Sequence, residues 1–228
     1  MLPYYNSNRI CFKVLTDGNW GEMETNMVSK KLLQRLPLYL NYLRALPDEV
    51  GNISATTMAK SLGFGDVQVR KDLAQVSGAG RQKIGRSRQA LIADIENYLD
   101  LATKTGAVVV GVGNLGHALL EYGGFAEFGI NVLAGFDTQP TGKWSKTGKS
   151  IYPMGRLRSF CQNYEVGIGI ITVPAACAQD VCDFLVDCGV KAIWNFAPTT
   201  LTVPEYVTVQ NENLAVALTS LRLRSMNQ

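Results

Sequence analysis

The chain is poor in the residues that hold metals and form disulfide bonds. It has one histidine, His117, and five cysteines, none in the Cys-x-x-Cys spacing of a zinc site. An odd number of cysteines without that spacing indicates reduced thiols and a cytoplasmic protein. No apolar run is long enough to span a bilayer, and residues 1–26 lack the apolar segment of a secretory signal. These absences argue against a secreted scaffold, a membrane protein and a metal protein.

Charge is distributed unevenly along the chain. Residues 27–90 hold 11 Lys and Arg against 4 Asp and Glu, a net charge of +7. Residues 91–228 hold 9 against 12, a net charge of −3. A basic segment of this kind indicates contact with a polyanion, although a solvated basic surface would have the same composition.

The basic segment has the pattern of a helix-turn-helix, over about Leu38 to Gly78. Leucines at helical spacing predict a first helix over about 29–46, broken or restarted at Pro37. Two short helices, 55–62 and 67–76, follow with a glycine turn between them. On the second of these, Val69 and Leu73 are predicted to face the core. The side chains predicted to point outward, toward DNA, are Gln68, Arg70 and Lys71.

Glycine alternates with basic side chains in residues 77–86, Ser-Gly-Ala-Gly-Arg-Gln-Lys-Ile-Gly-Arg. This pattern predicts a wing that lays Arg81, Lys83 and Arg86 along the phosphate backbone, with a flexible linker as the alternative. The basic excess, the helix pair and the basic loop fall close together, which favours binding to double-stranded DNA.

A β-branched run, Val108–Val110, leads into a Gly-x-Gly-x-x-Gly turn, and Asp137 follows 21 residues after its last glycine. In a dinucleotide-binding unit Gly111 makes the tight turn, Gly113 lets the backbone approach the pyrophosphate, and Gly116 lets helix and strand pack closely. Asp137 would accept both ribose hydroxyls and repel a 2′-phosphate, which favours NAD(H). The turn residues expected to hold the cofactor are Gly111, Val112, Gly113, Asn114, Leu115 and Gly116.

The second half of the chain alternates strands and helices. Strands are predicted at about 107–111, 131–136, 166–172, 191–195 and 206–209, with helices at about 114–122, 153–163 and 175–188. This alternation predicts an α/β fold with a doubly wound parallel sheet. Val173 and Pro174 follow a strand at the carboxyl edge, where ligands bind in such folds. A last helix, 214–224, is expected to belong to the core or to dock on a partner subunit.

These elements predict an organisation in five parts. They are an extension over 1–26, a winged-helix domain over 27–90, a linking helix over 91–105, a Rossmann domain over 106–210 and a C-terminal helix over 211–228. The predicted linking helix begins at about Arg88 and ends at about Thr103. The extension is either a disordered arm or sequence upstream of a true start at Met27.

Groups for catalysis are scarce. There is no Tyr-x-x-x-Lys pair and no carboxylate cluster with metal-ligand spacing. His117 directly follows the glycine turn, closer to a pyrophosphate than to a nicotinamide, and we expect it to have a surface or packing role on the helix. We therefore interpret the chain as a sensor of its nucleotide and not as an enzyme. Two alternatives are an NAD-dependent oxidoreductase with an added basic head, and a DNA-binding sensor of coenzyme A or S-adenosylmethionine.

Several motifs carry a resemblance to a known family. They are Leu36-Pro37-Leu38-Tyr39, Val69-Arg70-Lys71-Asp72-Leu73, the glycine turn, Phe136-Asp137, Thr172-Val173-Pro174-Ala175 and Asn195-Phe196-Ala197-Pro198. In this order, over about 28–224, they resemble the Rex family of bacterial redox-sensing repressors. The resemblance implies a homodimer that exchanges its C-terminal helix between subunits. It also implies that operator DNA is bound when NADH is scarce relative to NAD⁺ and released when NADH binds.

The resemblance also implies roles for single residues. Arg70 and Lys71 would lie on the recognition helix, Arg81 and Lys83 in the wing, and Asp137 at the adenosine ribose. Tyr122 matches a tyrosine that helps to distinguish reduced from oxidised nicotinamide. Arg44, Tyr122 and Asn213 match a switch in which many members have aspartate at the last position. Because an amide cannot make the same charge-assisted bond, we expect weaker redox discrimination here. The chain could thus be a divergent paralogue.

Overall fold

A computed structural model of the chain describes residues 29–78, 85–140 and 145–226, and the backbone of four short strands before them. The chain divides into two compact units, residues 1–103 and 104–228. The short strands are β1 (Pro3–Asn6), β2 (Arg9–Phe12), β3 (Val14–Thr16) and β4 (Asn19–Gly21). They pair as two antiparallel hairpins, β1 with β2 and β3 with β4. Strands this short show too little alternation to be predicted from sequence.

Four helices form the described core of the first unit: α1 (Lys30–Ala45), α2 (Ala55–Leu62), α3 (Asp66–Ser77) and α4 (Arg88–Tyr98). Between α2 and α3 the chain turns at Gly63, whose φ of 69° suits glycine. As predicted, Val69 and Leu73 of α3 are buried. They join leucines of α1 and the buried face of α4, Leu91 and Ile95. The helix-turn-helix is therefore confirmed.

Two helix boundaries differ from the prediction. The break expected at Pro37 is wrong, because α1 runs through this residue without interruption. Proline removes one backbone hydrogen bond, but Leu36, Tyr39 and Leu40 on either side are fully buried and hold the turn in place. The linking helix ends at Tyr98 and not near Thr103, since Asp100 adopts a φ of 51°, outside the helical region.

A two-stranded sheet closes the first unit. Strand β5 (Asn52–Ile53) pairs antiparallel with β6 (Arg86–Ser87), on either side of the helix-turn-helix. Gly85 precedes β6 with a φ of 80°, and a Cβ there would lie 2.5 Å from the carbonyl oxygen of Ile53. The backbone approach therefore requires glycine. The tip of the predicted wing, residues 79–84, lies outside the described residues.

The second unit alternates strands and helices around one sheet. Its elements are β7 (Thr105–Val110), α5 (Asn114–Glu121), β8 (Ile130–Asp137), β9 (Ile151–Pro153), α6 (Leu157–Asn163), β10 (Val166–Ile171), α7 (Ala175–Asp187), β11 (Ala192–Asn195), β12 (Thr208–Asn211) and α8 (Leu214–Ser225). The described sheet has the order β12-β11-β10-β7-β8-β9. All of its pairings are parallel, which confirms the doubly wound fold.

Both faces of the central strand are buried. Val108 and Val110 pack with α6 and α7, whereas Val109 packs with α5 residues on the other face. Strands β8 and β9 lie on one side of β7, and the chain then crosses over so that β10 pairs with β7 on the opposite side. The strand order therefore reverses between β7 and β10. In such sheets ligands bind outside the carboxyl ends of the strands at this reversal.

In the part of the chain that the structure describes, every helix is too short or too polar to span a bilayer.

Helix α8 does not belong to the core of this chain. Every described residue from Leu214 to Met226 is exposed, and the exposed apolar ones include Val216, Leu218, Leu221 and Leu223. By helical spacing, Leu214, Leu218 and Leu221 share one side, as predicted, but Val216 and Leu223 form a second apolar stripe on the opposite side. Of the two expectations, packing in its own core is wrong.

Candidate nucleotide site and nucleic-acid interface

The glycine turn lies at the carboxyl end of β7, beside the point where the strand order reverses. Gly111 has a φ of 93°, and its N–H donates to the carbonyl oxygen of Phe136 at 2.8 Å. A Cβ on Gly111 would lie 2.7 Å from Cγ1 of Val173. A Cβ on Gly116 would overlap the carbonyl oxygen of Gly111. Both positions therefore exclude any side chain, for conformational and packing reasons.

Gly113 is different, because a Cβ there would meet nothing within 4 Å. It is exposed and precedes α5, whose N-terminus has no side-chain cap. The first N–H groups of a helix have no intrahelical acceptor, so the N–H groups of Asn114, Leu115 and Gly116 are available to an anion. The open space at Gly113 thus lies where the backbone would approach a pyrophosphate.

Asp137 ends β8 next to this turn. Its Oδ2 accepts from the N–H of Val112 at 2.7 Å, and its Oδ1 accepts from the N–H of Gln139 at 2.9 Å. Oδ1 also accepts a long bond from the hydroxyl of Thr138 at 3.5 Å, whereas Oδ2 keeps a second lone pair for a ligand hydroxyl group. The structure therefore brings Asp137 and the glycine turn together, in the arrangement that a ribose beside a pyrophosphate requires.

Thr172, at the end of the strand predicted over 166–172, makes contacts in this site that the sequence did not reveal. Its Oγ1 lies within hydrogen-bond distance of the carbonyl oxygens of Val110, at 3.1 Å, and Gly111, at 2.5 Å. It thereby ties the end of β10 to the turn and positions Val173 and Pro174 beside it. The sequence placed Thr172 at the end of a predicted strand, but its contacts with the turn depend on the strand order, which was not predicted.

Tyr122 lies at the far end of α5 from the glycine turn. Its ring is exposed and packs edge-on against Phe125, with centroids 4.9 Å apart. The row of aromatic rings continues from Phe125 to Trp194 at 5.8 Å and from Trp194 to Phe196 at 4.5 Å. An α-helix rises about 1.5 Å per residue, so the eight residues of α5 separate Tyr122 from the turn by about 12 Å.

The outward face of α3 carries the predicted DNA-binding side chains. Gln68, Arg70 and Lys71 are all exposed. Arg70 contacts the carboxylate of Asp66 at 2.6 Å and donates to Oγ1 of Thr56 in α2 at 3.3 Å. A surface pair of this kind contributes about 0.2–1 kcal/mol, so a phosphate or a base edge can compete for the guanidinium.

Beneath this face lies a buried ionic network that sequence reasoning missed. Asp72 of α3 is 3% exposed and accepts from Nε of Arg35 at 2.7 Å and from the hydroxyl of Tyr39 at 2.7 Å, both in α1. Gln68 donates to the same carboxylate at 2.7 Å. The signal was an acid between the core residues Val69 and Leu73, which placed it on the buried stripe.

The network perturbs the pKa values of its members. Burial alone would raise the pKa of the Asp72 carboxyl, but the hydrogen bonds from Arg35, Tyr39 and Gln68 together outweigh it and hold that pKa below its ordinary value. Two effects raise the pKa of the Tyr39 hydroxyl: burial is the larger, and the hydrogen bond to Asp72 is the next. The carboxylate is therefore ionised at neutral pH and anchors α3 to α1.

Of the predicted wing cations, Arg81 and Lys83 lie outside the described residues. Arg86 is half-buried, and its Nη2 donates to the carbonyl oxygen of Gly78 at 2.6 Å. Burial lowers the pKa of its guanidinium. Arg86 thus ties the two ends of the loop together.

Two of the three predicted switch residues, Arg44 and Asn213, have partners within their own units. Arg44 of α1 pairs with Glu96 of α4 at 2.8 Å within the first unit. Asn213 is the N-cap of α8, where its Oδ1 accepts from the N–H of Val216 at 3.0 Å.

Among the described residues, no cluster of three His, Cys, Asp or Glu side chains is placed to hold a metal ion. His117 lies half-buried in the first turn of α5, and its backbone N–H donates to the carbonyl oxygen of Gly113 at 2.8 Å.

Known protein families match both units. The family described as "CoA binding domain" matches residues 102–199, and the family described as "Putative DNA-binding protein N-terminus" matches residues 27–74. The chain is 35% identical over 215 residues to the redox-sensing transcriptional repressor Rex of Porphyromonas gingivalis, covering 92% of this chain and 99% of that protein. It is 39% identical over 194 residues to Rex of Streptomyces coelicolor, covering 84% of this chain and 75% of that one.

Two solved structures are also similar. RSP, a Rex-family repressor, in complex with NAD⁺ and operator DNA superposes with a TM-score of 0.79 at 31% identity, over 88% of this chain and 93% of that chain. RSP in complex with NADH superposes with a TM-score of 0.75 at 30% identity, over 88% of this chain and 95% of that chain.

Proposed function

Because the chain belongs to the Rex family of redox-sensing transcriptional repressors, we propose that it binds operator DNA and leaves it when NADH rises relative to NAD⁺. One observation carries this proposal. A dinucleotide-type glycine turn with its acid, Asp137, and a helix-turn-helix with exposed cations occur in one chain, in separate units. Such a chain can make DNA binding depend on a nucleotide without consuming it.

On the DNA side, we assign base and phosphate contacts to α3. Its outward face carries Arg70 and Lys71, and helix-turn-helix proteins place this second helix in the major groove. Gln68 lies at the side of this face, where its amide N–H donates to Asp72 and leaves its amide oxygen for a base edge. Arg81 and Lys83 belong to the wing and would lie along the phosphate backbone. Arg86 donates to the carbonyl oxygen of Gly78 and would hold the base of the wing together. It would contact a phosphate only at the edge of the wing.

On the nucleotide side, the pyrophosphate would lie over Gly113 and the free N–H groups of α5, with the adenosine ribose at Asp137. Val173 and Pro174, at the end of β10, would cover the other side of the turn. A carboxylate at this position repels a 2′-phosphate, which supports NAD(H) rather than NADP(H) as the sensed ligand.

Redox discrimination needs a group that responds to the nicotinamide, which is cationic when oxidised and neutral when reduced. A ligand shifts an equilibrium only by its difference in affinity for the two states, so NADH must prefer the form that cannot bind DNA. We assign Tyr122, Arg44 and Asn213 to this response. Because Asn213 is neutral and already caps α8, we expect a smaller preference for NADH over NAD⁺ than an aspartate would give.

We further propose that the protein acts as a homodimer through α8. An exposed helix with leucines on two opposite sides is unfavourable in water and suits a position between two other surfaces. The second unit also has an uncovered apolar groove of about 330 Å³ over β10–β12, next to Phe125 and Trp194. Leu218→Asp would place a charge on this helix, and sedimentation velocity should then show a monomer where the unchanged protein shows a dimer.

The proposal places the protein in the cytoplasm, where NADH, NAD⁺ and operator DNA are together and cysteines stay reduced. Its role is regulatory and not enzymatic, which accords with relatives named as repressors. The alternative of an oxidoreductase would need a proton donor at the nicotinamide, for which the described site supplies no evident group apart from the distant Tyr122.

A titration tests the proposed function. The protein is bound to a labelled fragment of DNA from upstream of its own gene, and NADH, NAD⁺, coenzyme A and S-adenosylmethionine are added separately. Release by NADH at a lower concentration than NAD⁺ is expected. Gly113→Ala is the matched control, because it should bind the DNA normally and resist release by NADH. Release by coenzyme A alone, or binding that ignores all four compounds, would overturn the proposed signal.

A further inference from the structure

The outward face of α3 has an apolar centre. Val67 is 65% exposed, although most large apolar side chains of the first unit are buried. Since α3 buries Val69, Asp72 and Leu73, helical spacing places Val67, Lys71 and Ala74 on the opposite side of the helix, at i, i+4 and i+7. Arg70 and Gln68 flank this row on its two sides. An exposed valine in the middle of a polar, cationic face contributes nothing to the core and less than alanine to the helix.

The major groove offers one apolar group to such a side chain. Its floor presents hydrogen-bond donors and acceptors and, at each thymine, a C5-methyl group. Valine has no donor or acceptor, so burying it against the polar edge of guanine, adenine or cytosine leaves those groups unpaired. Against a thymine methyl, two apolar surfaces leave water together. The neighbouring cations supply the attraction to phosphates, which fixes the depth of the helix in the groove.

We infer that Val67 is a specificity-determining residue that reads the methyl group of a thymine in each half-site; this inference rests on the proposed DNA-binding function. Side chains one turn apart on a helix have Cβ atoms about 5–6 Å apart, and base pairs are about 3.4 Å apart along DNA. The thymine therefore lies within about two base pairs of the position contacted by Lys71 or Arg70. The buried bonds of Asp72 to Arg35 and Tyr39 hold α3 at a defined orientation, which a contact of this size requires.

The test removes the methyl group from the DNA. A high-affinity duplex is selected from a random-sequence pool with the unchanged protein, and each thymine is then replaced singly by deoxyuridine, which differs only in lacking this methyl. One thymine per half-site should weaken binding about fourfold on replacement, which corresponds to about 0.8 kcal/mol for one buried methyl group. In Val67→Ala the ratio of affinities for the thymine and deoxyuridine duplexes should fall toward one.

Lys71→Ala is the matched control, one turn away on the same row. It should weaken binding to both duplexes and leave their ratio at about fourfold. Circular dichroism should show that both variants are folded, since each replaces an exposed side chain. If no thymine shows a methyl dependence, or if Val67→Ala retains it, the inference is wrong while the DNA-binding function stands. If the selection yields no preferred duplex at all, the proposed function fails as well.

Discussion

The two units present groups for anionic ligands in opposite ways. The first unit carries its cations at the ends of long side chains on the exposed face of α3, above a buried ionic network at Asp72. The second unit uses backbone N–H groups around a turn in which Gly111 and Gly116 admit no side chain. In the first unit the exposed side chains can therefore be substituted, whereas the buried network at Asp72 cannot. In the second unit the backbone of the turn itself forms the binding surface.

The two units are therefore sensitive to mutation at different places. The side chains that we propose to contact DNA are exposed on α3, so they can vary without loss of folding. The nucleotide turn has no such separation, since Gly116 determines both the packing of α5 and the shape of the site. Variants that separate stability from binding should therefore behave differently in the two units.

The largest effect is expected at the buried carboxylate. Asp72→Ala leaves the Arg35 guanidinium, itself mostly buried, without its anion, and removing one member of a buried pair destabilises by about 3–5 kcal/mol. Thermal and urea unfolding should show this loss. Asp66→Ala is the control, because it removes an exposed pair with Arg70 worth about 0.2–1 kcal/mol. Equal losses in the two variants would show that the network does not anchor α3.

The two glycines of the turn form the next test. Gly116→Ala forces a Cβ against the carbonyl of Gly111, and overpacking of this kind destabilises by about 1–3 kcal/mol. Gly113→Ala meets open space, so its unfolding should be unchanged. Its NADH affinity, measured by fluorescence titration, should fall about tenfold or more, equivalent to about 1.4 kcal/mol. Unchanged NADH affinity in Gly113→Ala would contradict the cofactor assignment.

A smaller, mainly functional effect is expected on the exposed face of α3. Arg70→Ala should weaken operator binding by about 1–3 kcal/mol if the guanidinium reads a guanine. It should leave NADH affinity unchanged and lower stability by at most about 0.2–1 kcal/mol, from the loss of its surface pair with Asp66. Fluorescence anisotropy with a labelled operator measures the loss. A normal operator affinity in this variant would show that Arg70 stays with Asp66 and Thr56 in the complex.

The smallest effect is the pH dependence of the first unit. The folded state lowers the pKa of the Asp72 carboxyl, so the stability from its ionisation is present above its unfolded pKa. It is lost as pH falls below about 4 and through the lowered folded value. Unfolding measured from pH 7 to pH 2 should show this loss, and Asp72→Asn should lack this contribution. Identical pH profiles for the two proteins would contradict the assignment.

Much of the fold and part of the site were predictable from local pattern. The helix-turn-helix, the strand–turn–helix at Gly111–Gly116 and the acid at Asp137 all follow from spacing along the chain. The short strands β5, β6 and β9 escaped prediction, because two or three residues cannot display a period. The contacts of Thr172 escaped prediction because its partners, Val110 and Gly111, are about sixty residues away in the chain.

Local pattern was enough to predict the order of elements, the sign of the net charge of residues 27–90 and of residues 91–228, and the conformations that only glycine permits, because these can be read from residues close together in the chain. Contacts between distant segments establish which strand lies beside which, that Asp72 is paired with Arg35 and Tyr39, and that Pro37 is tolerated inside α1. They also establish that α8 is exposed and that Val67 faces outward. These outcomes depend on burial, which results from contacts between distant segments and cannot be predicted from the hydrophobic periodicity of neighbouring residues.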